Sequence, residues 1–494
     1  MDDPNKVFLV KTDRGEPLYQ QLYTNLRAAI LSCELKSGMK LPSTRALASE
    51  LNVSRNTVLN AYRQLLAEGY LVSIAGSGTY VAGDLPEAML FPSTKEVHDV
   101  ERNDKAHQLR LSEIARSQTT VSQLTAVSLA PGSRTPRPFS PEMPALDAFP
   151  YELWTRIVTR QARRLPRSSF AYQDWAGFYP LREAISAYLA ISRQVHCTPE
   201  QIIIVSGSQG ALNLAAHLLV NAGEPVWMED PGYHGARGAF LGAGAQIIPI
   251  PVDDEGLVVD AGIARAPQAR LVYLTPSHQF PLGVTMSLAR RLALLDWAKQ
   301  VGAYLVEDDY DSEYRFAGRP FAALHGLDDA ERVIYIGTFS KVLFPALRLG
   351  YLVLPPSLVE AFLAVRRFID IHPPMLEQVV LTEFMAAGHF TRHLRRMRTL
   401  YAERRAALLD VAAELPLEIR SPEAGIHCVA WLPDEVDSES LLHAAANHGL
   451  DLSPLSNYSI EPLARQGLLL GYGGYSVQEI ESGIRRLAAV MRSV

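Results

Sequence analysis

Four short runs of consecutive apolar residues, Ile202–Val205, Leu271–Leu274, Tyr304–Val306 and Val333–Ile336, are separated by stretches of amphipathic helical pattern. A run that is apolar at every position has no solvent side, so it reads as a strand buried on both faces. Such strands alternate with helices where crossover helices cover a largely parallel sheet. From about residue 128 to the end, the chain is therefore expected to form an α/β/α domain.

That domain does not use the whole chain. At 494 residues there is room for a small domain beside a large one. Residues 1–83 are compact and patterned. Residues 84–127 are polar, carry mixed charge in EVHDVERNDKAHQLR, and read as a linker with one short helix. Residues 128–494 make the large domain, and no repeat of fixed period is visible.

Charge separates the two ends. The formal net charge of −6 excludes a protein that coats nucleic acid by charge alone. Residues 1–83, however, hold nine Lys/Arg against seven Asp/Glu, and Lys36, Lys40, Arg45, Arg55 and Arg63 face Glu50 alone within 36–63. A basic head on an acidic body suits phosphate-backbone binding by one small module. Cys33, Cys197 and Cys428 lie far apart, in neither disulfide nor metal-ligand spacing. They are expected to be reduced buried thiols, and no metal site is expected. The N-terminus lacks a secretory pattern, and no apolar run reaches the ~18 residues of a membrane span. The expected location is cytoplasmic.

In the head, Leu18, Leu22, Leu26, Ala29 and Ile30 share one helical face. Ser43 is a natural N-cap for TRALASEL, and Ser54 for RNTVLNAYRQLLAE, which Gly69 stops. LVSIAGSGTYV alternates like a hairpin with Ala75–Gly78 at its tip. Two capped helices joined by a tight turn, then a hairpin, make a winged helix-turn-helix. Arg55, Asn56 and Thr57 begin the helix that would enter a major groove, where Arg suits guanine and Asn adenine. Ser54, Arg45 and the helix N-termini suit phosphates, and Gly76-Ser77 at the wing allow close backbone approach. A nucleotide phosphate loop at GSGT is excluded by the missing Lys-Ser/Thr and the strand that follows.

Over residues 16–82 this module resembles the GntR-type winged helix, through PLYQQLYTNLRAAILS, G-x-x-LPSTRALA, LNVSRNTVLNAYRQLLAEGYL and GSGTYV. The resemblance implies binding to double-stranded operator DNA, with Arg45, Arg55, Thr57 and Gly76 at the positions that touch it.

In the large domain the residue types suit an aldehyde cofactor that works through an imine. Such a cofactor needs a lysine nucleophile, a phosphate cradle, a carboxylate for its ring nitrogen and a group to stack on its ring. Gly207-Ser208-Gln209-Gly210 follows a strand and opens a helix, a phosphate-sized site. In EDDYDSEY, Asp308 is the choice for the ring nitrogen, with Asp309 as the alternative, and Tyr310 can reach the ring's phenolic oxygen. Lys341 follows Thr338 and Ser340, and Arg348 lies seven residues on. Thr338, Ser340 and Arg348 would hold a phosphate while Lys341 forms the imine. Tyr233 is the stacking candidate, and His278 in TPSHQFPLG is placed to hydrogen-bond the ring's 3-oxygen.

Taken together, residues 128–494 resemble pyridoxal-phosphate-dependent aminotransferases of fold type I. The whole chain resembles the MocR subgroup of GntR regulators, which joins the two parts in this order. YQDWAGFYPLREAISAYL, EDPGYHGAR, TPSHQFPLG, EDDYDSEYRF and GTFSKVLFPALRLGY carry the likeness. The resemblance implies pyridoxal 5'-phosphate as cofactor, with Lys341 as Schiff-base lysine, Asp308 at the pyridine nitrogen and Tyr310 at the ring oxygen. It implies Tyr233 as the stacking residue and a phosphate site of Ser208, Gln209, Thr338, Ser340 and Arg348. It also implies a head-to-tail homodimer in which Tyr172 reaches the neighbour's phosphate.

One departure is visible. Aminotransferases of this type hold a substrate α-carboxylate with an arginine near the C-terminus, whereas GLLLGYGGYS has none. Loss of such a clamp would cost a few kcal/mol of binding. The expected function is thus a transcription regulator that senses an amino acid, an amine or the cofactor itself. The alternative is a working aminotransferase that keeps a DNA module. The sequence leaves the effector, its carboxylate partner, the operator and the sign of regulation open.

Overall fold

A computed structural model describes residues 17–32, 34–83, 112–125, 137–141, 143–316, 322–420 and 423–493. The chain divides into two compact units, Met1–Leu109 and Arg110–Val494.

In the first unit α1 (Leu18–Leu31), α2 (Thr44–Glu50) and α3 (Arg55–Ala67) precede a hairpin of β1 (Leu71–Ile74) and β2 (Gly78–Val81). Leu22, Leu26, Leu47, Val58 and Leu65 are fully buried in one core. The expected caps are formed: Ser43 accepts from the Ala46 N–H at 3.2 Å, and Ser54 from the Thr57 N–H at 3.1 Å. Each such cap contributes about 1 kcal/mol. Gly69 takes φ 85°, the left-handed conformation that lets the chain leave α3 toward β1.

The second unit opens with α4 (Glu113–Thr125), the described part of the predicted linker. Apart from Ser112, the remainder of 84–127 lies outside the described residues, as does Cys33. Its main sheet has eight strands: β3 (Ile202–Val205), β4 (Pro225–Asp230), β5 (Gln246–Asp253), β6 (Gly256–Leu257), β7 (Leu271–Leu274), β8 (Tyr304–Asp309), β9 (Val333–Thr338) and β10 (Gly350–Val353). Their spatial order is β3-β10-β9-β8-β7-β4-β5-β6. The five central strands from β9 to β5 run parallel, while β10 is antiparallel to both neighbours and β6 to β5. The sheet is therefore mixed at its edges.

Both sheet faces are covered, which explains the unbroken apolar runs. In β3, Ile203 and Val205 join one buried cluster while Ile202 and Ile204 join another. Each such side chain contributes about 2 kcal/mol by leaving water. Two strands run past their apolar stretches: β8 continues through Glu307, Asp308 and Asp309, and β9 through Gly337 and Thr338. Polar residues are thereby carried on rigid strand ends. Helices α5 (Gly207–Leu219) and α6 (His234–Gly242) follow β3 and β4. A smaller antiparallel sheet, ordered β11 (Glu418–Ile419), β12 (His427–Trp431), β14 (Gly467–Gly471) and β13 (Ser453–Pro454), completes the unit. Cys197 is half-buried and Cys428 buried, and both are free thiols.

Candidate functional site

In the first unit the predicted DNA contacts sit on three features. Arg45 is exposed on the first turn of α2, and Arg55 and Asn56 are exposed on the first turn of α3. Thr57 is half-buried, and its hydroxyl lies 2.9 Å from that of Ser54. Those two hydroxyls are thus engaged with each other and with the cap. Gly76, at φ 75° with open space where a Cβ would stand, forms the hairpin tip. Ser77 beside it bonds its hydroxyl to the Tyr80 hydroxyl at 2.6 Å. Lys40, which was noted only as part of the charge excess, lies with its ammonium 5.8 Å from the centre of the Tyr80 ring. Its backbone also forms an isolated antiparallel bridge with Tyr80.

In the second unit the strand ends open on a cavity of about 530 Å³. Ser208, Gln209, Tyr233, Asp308, Tyr310, Thr338, Ser340, Lys341 and Arg348 all line it. They come from five separate stretches of chain, gathered because β3, β4, β8 and β9 end near one another.

One side of the cavity is a cradle for an anion. Gly207 at φ 79° turns the chain from β3 into α5, whose first turn presents Ser208 and Gln209. The Arg348 guanidinium lies against this turn and donates to the Ser206 carbonyl at 2.9 Å. A Cβ at Gly207 would stand 3.2 Å from the Arg348 Nη2, so any larger residue would push the guanidinium aside and strain a backbone at φ 79°. The Ser340 N–H donates to the Thr338 hydroxyl at 3.1 Å, which orders the loop before Lys341. A helix N-terminus, hydroxyls and a guanidinium together suit a phosphate.

Asp308 lies at the other side, 4% exposed. Its Oδ2 accepts from the Tyr273 hydroxyl at 3.0 Å, while its buried Oδ1 has no hydrogen-bond partner among the described residues. Burial pushes its carboxyl up to about 7, against the Tyr273 hydrogen bond. An unsatisfied carboxylate oxygen facing a cavity calls for a donor, and a protonated ring nitrogen would supply one. Asp309, the alternative, turns away from the cavity: it pairs with Arg193 at 2.7 Å and accepts from the Tyr335 hydroxyl at 2.5 Å.

Two candidates are not on the cavity wall. His278 was expected at the ring's 3-oxygen, but it lies behind Tyr310, with its Nδ1 2.9 Å from the Tyr310 hydroxyl and 3.0 Å from Asp311. The pull of a buried carboxylate accounts for that place. Tyr172 is 83% exposed and does not line its own chain's cavity.

Several lining residues escaped the sequence reading: Tyr273, Thr275, His234, His427, Asp451 and Tyr458. Tyr273 alone had a signal, since a tyrosine inside a fully buried strand needs a partner for its hydroxyl. Where an arginine would clamp a carboxylate, β14 offers Leu468, Leu469 and Leu470, all fully buried. Arg465 instead reaches Glu418 on the surface, while Asn457 lines the cavity. His278, Asp311 and His427 bring possible metal-ligand atoms within 4.8 Å of one another, but the His278 Nδ1 is already engaged by Asp311 and Tyr310.

Residues 148–465 match the family of aminotransferases of class I and II, and residues 18–81 match the gntR family of bacterial regulatory proteins. The probable rhizopine catabolism regulatory protein MocR of Rhizobium meliloti is 40% identical, over 97% of this chain and 95% of its own length. An uncharacterised HTH-type transcriptional regulator of Bacillus subtilis, YhdI, is 35% identical over 95% of each chain. Among solved structures, the α-aminoadipate aminotransferase LysN of Thermus thermophilus, complexed with N-(5'-phosphopyridoxyl)-L-leucine, superposes with a TM-score of 0.70 at 28% identity. That match covers 78% of this chain and 97% of the aminotransferase.

Proposed function

This chain belongs to the MocR-type regulators of the GntR family, which carry an aminotransferase domain behind a winged helix-turn-helix, and from that premise we propose that it binds operator DNA under the control of an amine or amino acid sensed at a pyridoxal-phosphate site. The observation that carries the reading is the unsatisfied Oδ1 of Asp308, buried in a cavity that Lys341 and a phosphate cradle also line. The residues present fit the cofactor.

Pyridoxal phosphate, when bound, supplies an aldehyde that a primary amine can engage reversibly. Lys341 holds it through its amine. Ser208, Gln209, Thr338, Ser340 and Arg348 bind and orient the phosphate. Asp308 would accept a hydrogen bond from the protonated ring nitrogen, Tyr310 would hold a proton at the ring oxygen, and Tyr233 would cover the ring face. The cavity that Lys341 lines would also admit the primary amine of an effector.

The second unit also offers a route out of the cavity. Tyr233 and His234 line it and lead directly into α6, against which α4 packs. The Gln118 amide donates to the Gly238 carbonyl of α6 at 3.0 Å, and Val121 is 5% exposed. Through this contact, a movement of α6 on effector binding would reach α4, the segment with which the second unit opens. The active form is a head-to-tail homodimer; Phe170, Tyr172 and Phe368, at 78%, 83% and 86% exposure, support a surface for a second copy. The protein works in the cytoplasm, and among the described residues no helix is long and apolar enough to cross a membrane.

A second reading, a working aminotransferase that retains a DNA module, is favoured by Lys341, Asp308 and Tyr310 lining one cavity and opposed by the apolar β14. The test is an absorbance titration of the cofactor-loaded protein against amines and amino acids, run beside an operator titration. A ligand that changes both the visible band and operator affinity supports the regulator. A band that is lost to an amino acid and restored by a keto acid, with operator affinity unmoved, supports the enzyme.

A further inference from the structure

The α-carboxylate of an amino acid needs a counter-charge wherever it leaves water. In this chain β14, the strand that would carry an arginine for it, is closed to one. Leu469 sits in a buried apolar cluster with Phe280 and Tyr458, both of which line the cavity. At the end of the strand and beyond it, neighbouring backbone leaves no room for a side chain. A Cβ at Gly471 would stand 2.3 Å from the Ser140 carbonyl oxygen, and one at Gly473 would stand 3.0 Å from that of Met143.

The rest of the lining supplies no substitute. Among the described residues that line the cavity, the lysines and arginines are Lys341 and Arg348. Both are committed in the cofactor site, Lys341 to the aldehyde and Arg348 to the phosphate. The imidazoles are packed among rings, His427 against Phe280 and Tyr310, and His234 against Tyr458. Neither has the fork of donors that grips a carboxylate at two points.

The lining that remains is largely apolar and carries one carboxylate. Pro141, Met143, Ile426, Leu442, Leu450 and Leu452 line the cavity, and so does Asp451. The Asp451 N–H donates to the Pro138 carbonyl at 3.1 Å, which fixes the residue beside Ser140. Burial raises its carboxyl, while the Ser140 hydroxyl and Arg137 favour the ionised form. Arg137 is not itself part of the lining; its guanidinium donates to the Ala446 carbonyl at 3.4 Å. An anionic group that enters therefore meets a like charge, whereas a donor meets an acceptor.

We infer that the effector is a primary amine without a carboxylate, with an apolar body and a second donor group that Asp451 receives. The inference rests on the cofactor site proposed above.

The test titrates the cofactor-loaded full-length protein with two matched pairs, norvaline against butylamine and ornithine against putrescine, and reads the visible band. Each amine is its amino acid without the carboxylate, and the two amines differ by one terminal amine. In each pair the amine is expected to act at about tenfold lower concentration than its amino acid. Putrescine is expected to act at lower concentration than butylamine, and Asp451→Asn to abolish that lead. An amino acid that matches or betters its amine overturns the inference, and so does a loaded protein whose band no amine changes. A lead of putrescine that is absent from the wild type, or that survives in Asp451→Asn, overturns it as well. Should Asp451→Asn not fold, Asp451→Ser makes the same comparison. A wild type that develops no visible band with pyridoxal phosphate overturns the cofactor site instead, and this inference with it.

Discussion

Tyr273 holds Asp308 from one side only: its hydroxyl donates to Oδ2 at 3.0 Å, while the buried Oδ1 has no hydrogen-bond partner among the described residues. The carboxylate is thus fixed in direction with one acceptor kept for a ligand. Asp308→Asn is expected to weaken pyridoxal phosphate binding by about ten- to a hundredfold, the worth of a charge-assisted hydrogen bond. Tyr273→Phe, which frees the carboxylate without discharging it, costs about tenfold or less. An absorbance titration with the cofactor reads both. Equal binding by wild type and Asp308→Asn would remove Asp308 from the site.

The neighbouring aspartate has the opposite profile. Asp309 pairs with Arg193 where both side chains are nearly inaccessible. Asp309→Asn leaves a buried guanidinium without its counter-charge, so it costs about 3–5 kcal/mol of stability. Its denaturation midpoint falls far below that of Asp308→Asn, in which no ion pair is broken.

Stability should depend on pH in the cofactor-free protein. Burial holds both Asp308 and Glu229 up to about 7. A group with a raised folded value binds its proton more tightly in the folded state, so its contribution is complete below the ordinary carboxylate range near 4 and is lost as pH rises through 7. The melting temperature of the empty protein is expected to fall between pH 5 and pH 8. Asp308→Asn flattens that fall, and so does bound cofactor, whose ring nitrogen stabilises the ionised carboxylate. A calorimetric pH series in which all three behave alike would count against this.

On the DNA side, Arg55→Ala and Ser54→Ala separate contact from cap. Arg55 is exposed on the first turn of α3, so its loss is expected to weaken operator binding by about ten- to a hundredfold with the fold intact. Ser54→Ala removes the bond to the Thr57 N–H and destabilises the first unit by about 1 kcal/mol. A gel-shift series with thermal melts distinguishes them.

The contact of α4 with α6 predicts an uncoupled regulator. Val121→Asp places a charge where the side chain is 5% exposed and should lift α4 from α6. The cofactor band and its response to the effector are then retained, while the effector's influence on operator affinity disappears. Retained influence would show that the signal takes another path.

Much of this was legible in the chain because it is local. The caps Ser43 and Ser54 bond within their own first turns, and Gly69 needs only its own φ. The runs Ile202–Val205 and Leu271–Leu274 declare burial on both faces by lacking any polar position. The Gly207–Gly210 turn and the Lys341 loop are also local motifs, and their residues do meet at one cavity. The eight-stranded sheet was readable as largely parallel, yet the antiparallel β10 was not, since a strand's direction depends on partners far away in sequence.

What the sequence by itself determined is the set of parts: two units, their element types, and a lysine, carboxylates, hydroxyls and glycines of the right chemistry. What only the tertiary structure decided is which of two adjacent aspartates faces the cavity, and that His278 stands behind Tyr310. Asp308 and Asp309 are next to each other on β8, so they point to opposite faces of the sheet. Which face holds Arg193 and which holds the cavity is set by the packing of other strands. The position of His278 was likewise fixed by Asp311, thirty-three residues away, because a buried carboxylate must find a donor and this ring was the one within reach.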